Sequence, residues 1–117
     1  MACRVSSRFL AGFLAVGATL FPHIAEARPV RCVITGSVQY AGKCDFTRSG
    51  GSFSLSPIGR ASFSGGINPV SVAIDTPGVA EVRGLTRDGI NSRWGEARRS
   101  KKDPACWEGS DFRICAY

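Results

Sequence analysis

The sequence contains one histidine, His23, and no histidine from residue 28 to residue 117. Serine and cysteine nucleophiles usually need an imidazole base, and histidine is the commonest metal ligand and acid-base group near neutral pH. Eight carboxylates remain in that part of the chain, but their spacing gives no reason to place two of them about 5 to 9 Å apart across a cleft, as glycoside hydrolysis requires. We therefore predict a protein that is not an enzyme and that has no cofactor and no metal site. The alternative is a carboxylate-based hydrolase.

The sequence also lacks a convincing helix, a linker, an internal repeat and a low-complexity tract. Residues 95–103 are the best helical candidate, but they have no apolar stripe that a helix could bury. Short stretches such as residues 70–75 instead alternate apolar and polar side chains, which indicates half-buried strands. We predict an all-β single domain, a small antiparallel barrel or sandwich of about eight short strands.

Glycine and proline mark the predicted breaks between these strands. Asp88-Gly89 is the strongest signal, and it predicts a type I′ hairpin turn, in which both central residues have positive φ. A short strand that carries Phe63 is expected at residues 60–64. The other breaks are expected at Gly42-Lys43, Gly50-Gly51, Pro57 to Gly59, Gly65-Gly66 and Pro77-Gly78.

Residues 1–27 are typical of an export signal. Their apolar run covers residues 9–21, which is shorter than the roughly 20 apolar residues that a membrane-spanning helix needs. Ala25 and Ala27 frame a small-residue cleavage site. We predict cleavage after Ala27, a single domain over residues 28–117, and a periplasmic or secreted protein that is not an integral membrane protein after cleavage. The alternative is an uncleaved membrane anchor.

Cys3 belongs to the signal, so an even number of cysteines remains in the predicted domain: Cys32, Cys44, Cys106 and Cys115. An even set in an exported chain indicates two disulfides. Three pairings are possible, and we expect the local one, 32 with 44 and 106 with 115. A hairpin at the C-terminus supports it, because one register places three pairs face to face: Cys106 with Cys115, Trp107 with Ile114, and Glu108 with Arg113. A zinc site is the alternative, but neither pair has CxxC spacing.

The predicted domain is basic. The signal contains two arginines and one glutamate, which leaves 13 basic and 8 acidic residues and a net charge of +5. This balance favours an anionic partner, such as a phosphate or uronate polymer or an acidic protein face. Nucleic acid fits the charge but not the compartment, and few aromatic residues are available for base stacking. We therefore predict no nucleic-acid partner.

Five cations within ten residues are the candidate binding residues of this basic domain: Arg93, Arg98, Arg99, Lys101 and Lys102. Arg98 and Arg99 are able to bind a carboxylate or phosphate through two hydrogen bonds each. Asp103-Pro104 then turns the chain into the final hairpin. The alternative is a solvated loop between two structural tryptophans, Trp94 and Trp107.

Residues 84–117 resemble the C-terminal ends of small exported alphaproteobacterial proteins without an assigned activity, and residues 32–46 and 51–56 resemble them more weakly. Size, export signal, β character and disulfides are also similar to those of the periplasmic inhibitors of C-type lysozyme, whose fold is an eight-stranded barrel. Those inhibitors insert a loop with serine and glycine into the lysozyme cleft. The stretch SFSGG, with Ser64 and Gly65, is the part of this chain that looks like that loop.

These resemblances imply a non-catalytic binding protein that blocks a cell-wall hydrolase. C-type lysozymes are basic, so a net charge of +5 would slow the encounter. The alternative is a structural or adaptor module that binds anionic envelope polymers through the basic loop.

Overall fold

The computed structural model describes residues 26–117, which form a closed barrel of eight antiparallel strands in chain order. Each strand pairs with the next, and β1 pairs with β8 to close the ring. The prediction of an all-β fold is confirmed, and of the two architectures expected the barrel is the one observed. The strands are β1 (Glu26–Thr35), β2 (Tyr40–Ser49), β3 (Ser52–Pro57), β4 (Ile67–Thr76), β5 (Val79–Thr86), β6 (Asn91–Arg99), β7 (Cys106–Glu108) and β8 (Arg113–Ala116).

Alternating residues of each strand face the barrel interior, as the period of two requires. In β1, Val30, Cys32 and Ile34 are buried, and in β4 Val70 and Val72 are fully buried. Residues opposite each other on neighbouring strands point to the same face, so the inward residues of all strands form one continuous core. The ring closes through short ladders, because β6 pairs with β7 only at Arg98 and Arg99 and β1 pairs with β8 only from Cys32 to Thr35.

Both disulfides join the predicted partners, Cys32 with Cys44 and Cys106 with Cys115. The C-terminal hairpin has the predicted register, with Trp107 opposite Ile114, and Trp107 is 2% exposed. Glu108 and Arg113 also face each other, and their side chains form an ion pair of 3.3 Å.

One predicted break and one predicted strand are wrong. Gly42-Lys43 lies inside β2, where Gly42 pairs with Cys32 and Lys43 pairs with Arg31 of β1. The expected strand at residues 60–64 is a loop that ends in a short 3-10 turn, Ser64–Gly66. Phe63 is nevertheless 2% exposed, because the loop folds its ring into the barrel.

The turn at Asp88-Gly89 also differs from the prediction. Gly89 has a φ of 83°, but no residue other than glycine has positive φ in residues 26–117, so the turn is not type I′. The Gly89 N–H donates to the Thr86 carbonyl at 2.9 Å, and the Thr86 N–H donates to the Ile90 carbonyl at 2.8 Å. This pattern is a three-residue hairpin loop that ends with glycine in the left-handed region.

The barrel has two ends of different character. At the closed end, the loops contribute Val38, Phe63 and Phe112, whose side chains are buried and extend the core. At the open end, a cavity separates the strand ends from the loops. The closed end comprises residues 36–39, 58–66, 87–90 and 109–112, and the open end comprises residues 26–28, 49–52, 76–79 and 100–105.

The predicted signal and its cleavage lie mostly outside the described residues. β1 begins at Glu26, so cleavage after Ala27 would remove the first two residues of this strand. Within residues 26–117, no helix is long and apolar enough to cross a bilayer.

Candidate functional site

A cavity with a volume of about 440 Å³ lies at the open end. Inward-facing residues near the ends of the strands form most of its wall, while the turn between β2 and β3 and the loop before β7 form its rim. Its lining residues are Arg28, Phe46, Arg48, Gly50, Gly51, Ser52, Phe53, Ile74, Arg99, Pro104, Ala105, Trp107 and Ala116.

The floor of the cavity is aromatic. Trp107 is 2% exposed and Phe46 is 8% exposed, so both rings belong to the core and present only a small part of their surface to the cavity. The half-buried ring of Phe53 stacks on Phe46 with 4.8 Å between the ring centroids. Ile74 packs against the same core. An apolar group inside the cavity would therefore contact aromatic and aliphatic surface.

Three arginines line the same cavity. The guanidinium of Arg28 lies 5.1 Å from the ring centroid of Phe46, that of Arg48 lies 5.8 Å from the same ring, and that of Arg99 lies 4.7 Å from the ring of Trp107. These are cation–π distances, which restrict where each cation can lie. The residues that line the cavity include no aspartate or glutamate, and the ion pairs of residues 26–117 involve other arginines.

Strand register explains why these cations share one cavity. Arg28 is opposite Phe46 in the β1–β2 ladder, Arg48 is opposite Phe53 in the β2–β3 ladder, and Arg99 is opposite Trp107 in the β6–β7 ladder. Residues opposite each other in a sheet point to the same face. Each arginine therefore shares the inward face with an aromatic residue of the neighbouring strand.

The loop between β6 and β7 is fixed by local hydrogen bonds. The Ser100 hydroxyl is an acceptor for the backbone N–H groups of Lys102 and Asp103, each at 3.2 Å. Asp103 accepts a hydrogen bond from the Ala105 N–H at 3.1 Å and another from the Tyr117 hydroxyl at 2.7 Å. The loop is thus exposed but anchored at both ends, which holds the Lys102 backbone in place.

The hydrogen bond between Asp103 and Tyr117 shifts the pKa of both side chains. The Tyr117 hydroxyl stabilises the ionised carboxylate and so lowers the pKa of Asp103, with a further contribution from the Ala105 N–H. The same bond raises the pKa of Tyr117, because the phenol must stay protonated to donate. Ionised Asp103 and neutral Tyr117 together hold the C-terminal residue against the loop.

The structure separates the five cations expected to act together. Arg99 lines the cavity, whereas Arg98 points to the outer wall and pairs with Glu96 at 3.4 Å. Lys101 and Lys102 are exposed on the loop. Arg93 lies on the outer wall, where it pairs with Glu81 at 2.6 Å. That contact lowers the pKa of Glu81 and raises that of Arg93, since each ionised group stabilises the other.

Ser64 and Gly65 lie at the closed end, far along the barrel from the cavity. Both are exposed in the turn before β4, and Gly65 has a φ of 77°. The same end carries two of the exposed large apolar residues, Ile58 at 41% and Ile90 at 61% exposure. Sequence reasoning placed Ser64 and Gly65 on an exposed turn, but the apolar neighbours at that end were not expected.

Sequence reasoning missed Arg28 and Arg48. The signal was present in the alternation, because Arg28 continues the inward series of Val30 and Cys32, and Arg48 continues that of Phe46. An arginine at an inward position near a strand end indicates a polar barrel mouth. The alternation that leads to Arg48 was not recognised, because the predicted break at Gly42-Lys43 divided β2 into two parts.

Comparison with known proteins gives no guide to function. The chain matches no family model, no curated protein and no solved structure. No group of three or more potential metal ligands lies close together in residues 26–117.

Proposed function

We propose that this chain is a non-catalytic binding protein of an oxidising compartment outside the cytoplasm, and that it binds an anionic envelope polymer at the open end of the barrel. Two disulfides in a small domain are typical of oxidising compartments. The apolar run and small-residue site of residues 1–27 support export. All four described cysteines are in disulfides and the cavity lining contains no carboxylate, which supports binding rather than catalysis.

The clustering of cations is the observation that carries this proposal. Five basic side chains at the open end and in its cavity form no ion pair within residues 26–117: Arg28, Arg48, Arg99, Lys101 and Lys102. Five other cations also form no ion pair in this part of the chain, but they are spread over the barrel wall and the closed end: Arg31, Lys43, Arg60, Arg83 and Arg87. Unpaired charges of one sign create a local potential that attracts an extended partner of the opposite sign.

The loop also presents its cations at little entropic cost. Ser100 and Asp103 fix the backbone around Lys101 and Lys102, so binding does not have to order the main chain. Preorganised loops lose less free energy on association than mobile ones. We expect affinity for a uronate or phosphate polymer that falls steeply with salt, because exposed charges are screened beyond about 10 Å at 0.1 M salt.

Retention of the purified, oxidised protein on an immobilised polyuronate tests the proposal. The variant Arg98→Ser/Lys101→Ser/Lys102→Ser removes three outward charges and leaves the cavity arginine Arg99 intact. We expect its retention to be lost at a lower salt concentration than that of the unmodified protein. The matched control, Arg60→Ser/Arg83→Ser/Arg87→Ser, removes three exposed cations away from the open end.

Two results would contradict polymer binding at the open end. Equal losses in the two triple variants would show that only net charge matters. Retention that does not depend on salt would show that charge does not hold the polymer.

A second candidate function, inhibition of a cell-wall hydrolase, is favoured by the exposed turn at the closed end. Ser64 and Gly65 lie at the same end as Ile58 and Ile90, which are exposed. Protein interfaces commonly combine an apolar centre with a polar rim. Such a surface is suited to a concave protein partner more than to a charged polymer.

Lysis of a cell-wall suspension by a C-type lysozyme tests this second candidate. We expect the protein to slow the loss of turbidity, and Ser64→Arg to abolish that effect because a long side chain would block insertion of the turn. Lys101→Ser/Lys102→Ser, at the other end, is the control and should inhibit as before. Unchanged lysis at a large molar excess of protein would rule the inhibitor function out.

A further inference from the structure

We propose that the open-end cavity is a binding site for a small organic anion, a molecule with one carboxylate, sulfonate or phosphate group and a flat or aliphatic apolar body. This goes beyond polymer binding by the loop, because it assigns a ligand to the cavity behind the loop. The cavity of about 440 Å³ falls in the range of about 300 to 1,000 Å³ that is typical of small-molecule sites.

The floor determines the apolar part of the ligand. Trp107 and Phe46 are almost fully buried and therefore hold their rings in fixed positions. Phe53 extends this surface by stacking on Phe46. A ring or an acyl chain that entered the cavity would remove its own surface and the exposed part of Phe53 from water, which favours binding.

The arginines on the cavity wall determine the charged part of the ligand. Arg28, Arg48 and Arg99 are each held over an aromatic ring at 5.8 Å or less. A guanidinium in this position keeps N–H donors available at its edge while its face contacts the ring. A carboxylate, sulfonate or phosphate oxygen can accept those hydrogen bonds, and charge-assisted bonds of this kind are about twice as strong as neutral ones.

Because three arginines and no carboxylate line the cavity, the site is selective for anions. Three cations line one cavity whose lining includes no carboxylate, so they repel one another when it holds only water. An anion replaces this repulsion with attraction, whereas a neutral or cationic molecule of the same shape does not. We therefore expect discrimination by charge as well as by apolar area.

The test uses 8-anilinonaphthalene-1-sulfonate, an aromatic sulfonate, measured by titration calorimetry and fluorescence at constant ionic strength. The oxidised protein should bind one molecule. Arg48→Gln/Arg99→Gln should weaken binding by about tenfold or more for each arginine removed, since a hydrogen bond to a charged group contributes at that level. Lys101→Ser/Lys102→Ser is the matched control: it also removes two open-end charges, but not from the cavity, and should bind as the unmodified protein does.

A second variant tests the cavity without changing its charge, and it serves if the arginine variant does not fold. Ala116→Phe retains every charge and fills part of the cavity that Ala116 lines. It should abolish sulfonate binding while melting cooperatively. Undiminished binding by a folded Ala116→Phe protein would place the probe elsewhere and overturn the proposal, as would equal weakening in the lysine control.

Two ligand controls separate charge from apolar area. N-phenyl-1-naphthylamine has the same rings without the sulfonate and should bind at least about tenfold more weakly, by the same reasoning. Inorganic sulfate should not displace the probe at equal concentration. Equal affinity for the neutral amine, or efficient displacement by sulfate, would overturn the organic-anion assignment. Polymer retention is measured with Arg98→Ser/Lys101→Ser/Lys102→Ser, which leaves the cavity intact, so the two proposals can fail separately.

Discussion

At the closed end of the barrel the interior is filled by Phe63 and Phe112, whereas at the open end the interior positions carry Arg28, Arg48 and Arg99. The same eight strands form both ends, and both sets of side chains lie on the inward face. Aromatic side chains therefore complete the interior at the closed end, whereas at the open end charged groups lie over the core rings of Phe46 and Trp107.

Backbone approach at the closed end explains how tightly it is packed. Gly36 has a φ of 127°, and a Cβ atom there would lie 2.8 Å from the Cβ of Phe112. Trp94 packs against the ring of Phe112 edge to face, with 5.6 Å between centroids. The open end has glycine too, but at Gly50 and Gly51 nothing lies within 4 Å of the Cβ position. Three turn glycines of the closed end are equally open, so the close packing there is local to the surroundings of Phe112.

The largest expected effect comes from making the same substitution at both ends. Phe112→Ala removes a ring that is 6% exposed and should lower the free energy of unfolding by about 3 to 5 kcal/mol. Phe53→Ala removes a half-buried ring at the open end and should cost about half as much or less, because part of that surface is already in water. Chemical denaturation of both variants measures the difference. Equal losses would show that the open end is as closely packed as the closed end.

The second prediction concerns the disulfides. Replacing Cys106 and Cys115 by alanine should lower stability by about 3 kcal/mol, and so should replacing Cys32 and Cys44, because the loops of 9 and 12 residues are similar in length. The two pairs should differ in anion binding. β7 and β8 have only three residue pairs between them, so without the disulfide we expect them to separate and disturb Trp107 and the loop.

Titration of the two double-alanine variants with the aromatic sulfonate measures this difference, under conditions in which both variants are folded. The variant without Cys32 and Cys44 should still bind the sulfonate, because β1 and β2 share nine residue pairs. Loss of binding in both pairs to the same extent would contradict a local role for the C-terminal disulfide.

The sequence predicts the barrel strands better than the loops. Alternation in residues 70–75 and in the C-terminal hairpin corresponds to observed strands and register, because period two directly reflects which face is buried. The position of Phe63 could not be predicted in the same way. Its burial depends on a loop that returns across the closed end, and such a return is set by tertiary packing rather than by local pattern.

The candidate site was only partly predictable, for a related reason. Arg99 was expected to bind an anion because cations cluster around it in sequence. Arg28 and Arg48 are distant from Arg99 in sequence. The β1–β2 ladder places these two arginines near each other, and barrel closure brings them to the cavity that Arg99 also lines. Arg93 was expected to belong with Arg99, but β6 carries it to the outer wall, where Glu81 is its partner.

The third prediction uses pH to release the open-end loop. The folded pKa of Asp103 is lowered, so its hydrogen bond with Tyr117 stabilises the fold above the ordinary aspartate pKa of about 3.9, and this contribution is lost as pH falls through the lowered value. The pKa of Tyr117 is raised, so its contribution is present below about pH 10 and is lost as pH rises through the higher folded value. Tyr117→Phe should lower the melting midpoint between these limits.

Melting of the two proteins across this pH range is the measurement. The midpoints of the unmodified protein and Tyr117→Phe should converge at the acid and alkaline ends. A constant difference at every pH would show that the tyrosine hydroxyl acts independently of Asp103. The closed end provides the control, because Arg87→Gln should leave the pH dependence of melting unchanged.

The smallest expected effect on stability comes from single arginines at the two ends. Arg48→Gln should change the free energy of unfolding by less than about 0.5 kcal/mol, because its side chain is exposed and has no ion pair within residues 26–117. Arg48→Gln should raise the free energy of unfolding at low salt, since Arg28 and Arg99 line the same cavity and repel the Arg48 guanidinium. At 1 M salt the Debye length is about 3 Å and the gain should disappear. Arg87→Gln, in the closed-end turn beside Asp88, should show no such gain. If Arg48→Gln instead lowers the melting midpoint at low salt, the guanidinium stabilises the fold through its contact with Phe46, and the open end is a structural element rather than a surface kept for an anion.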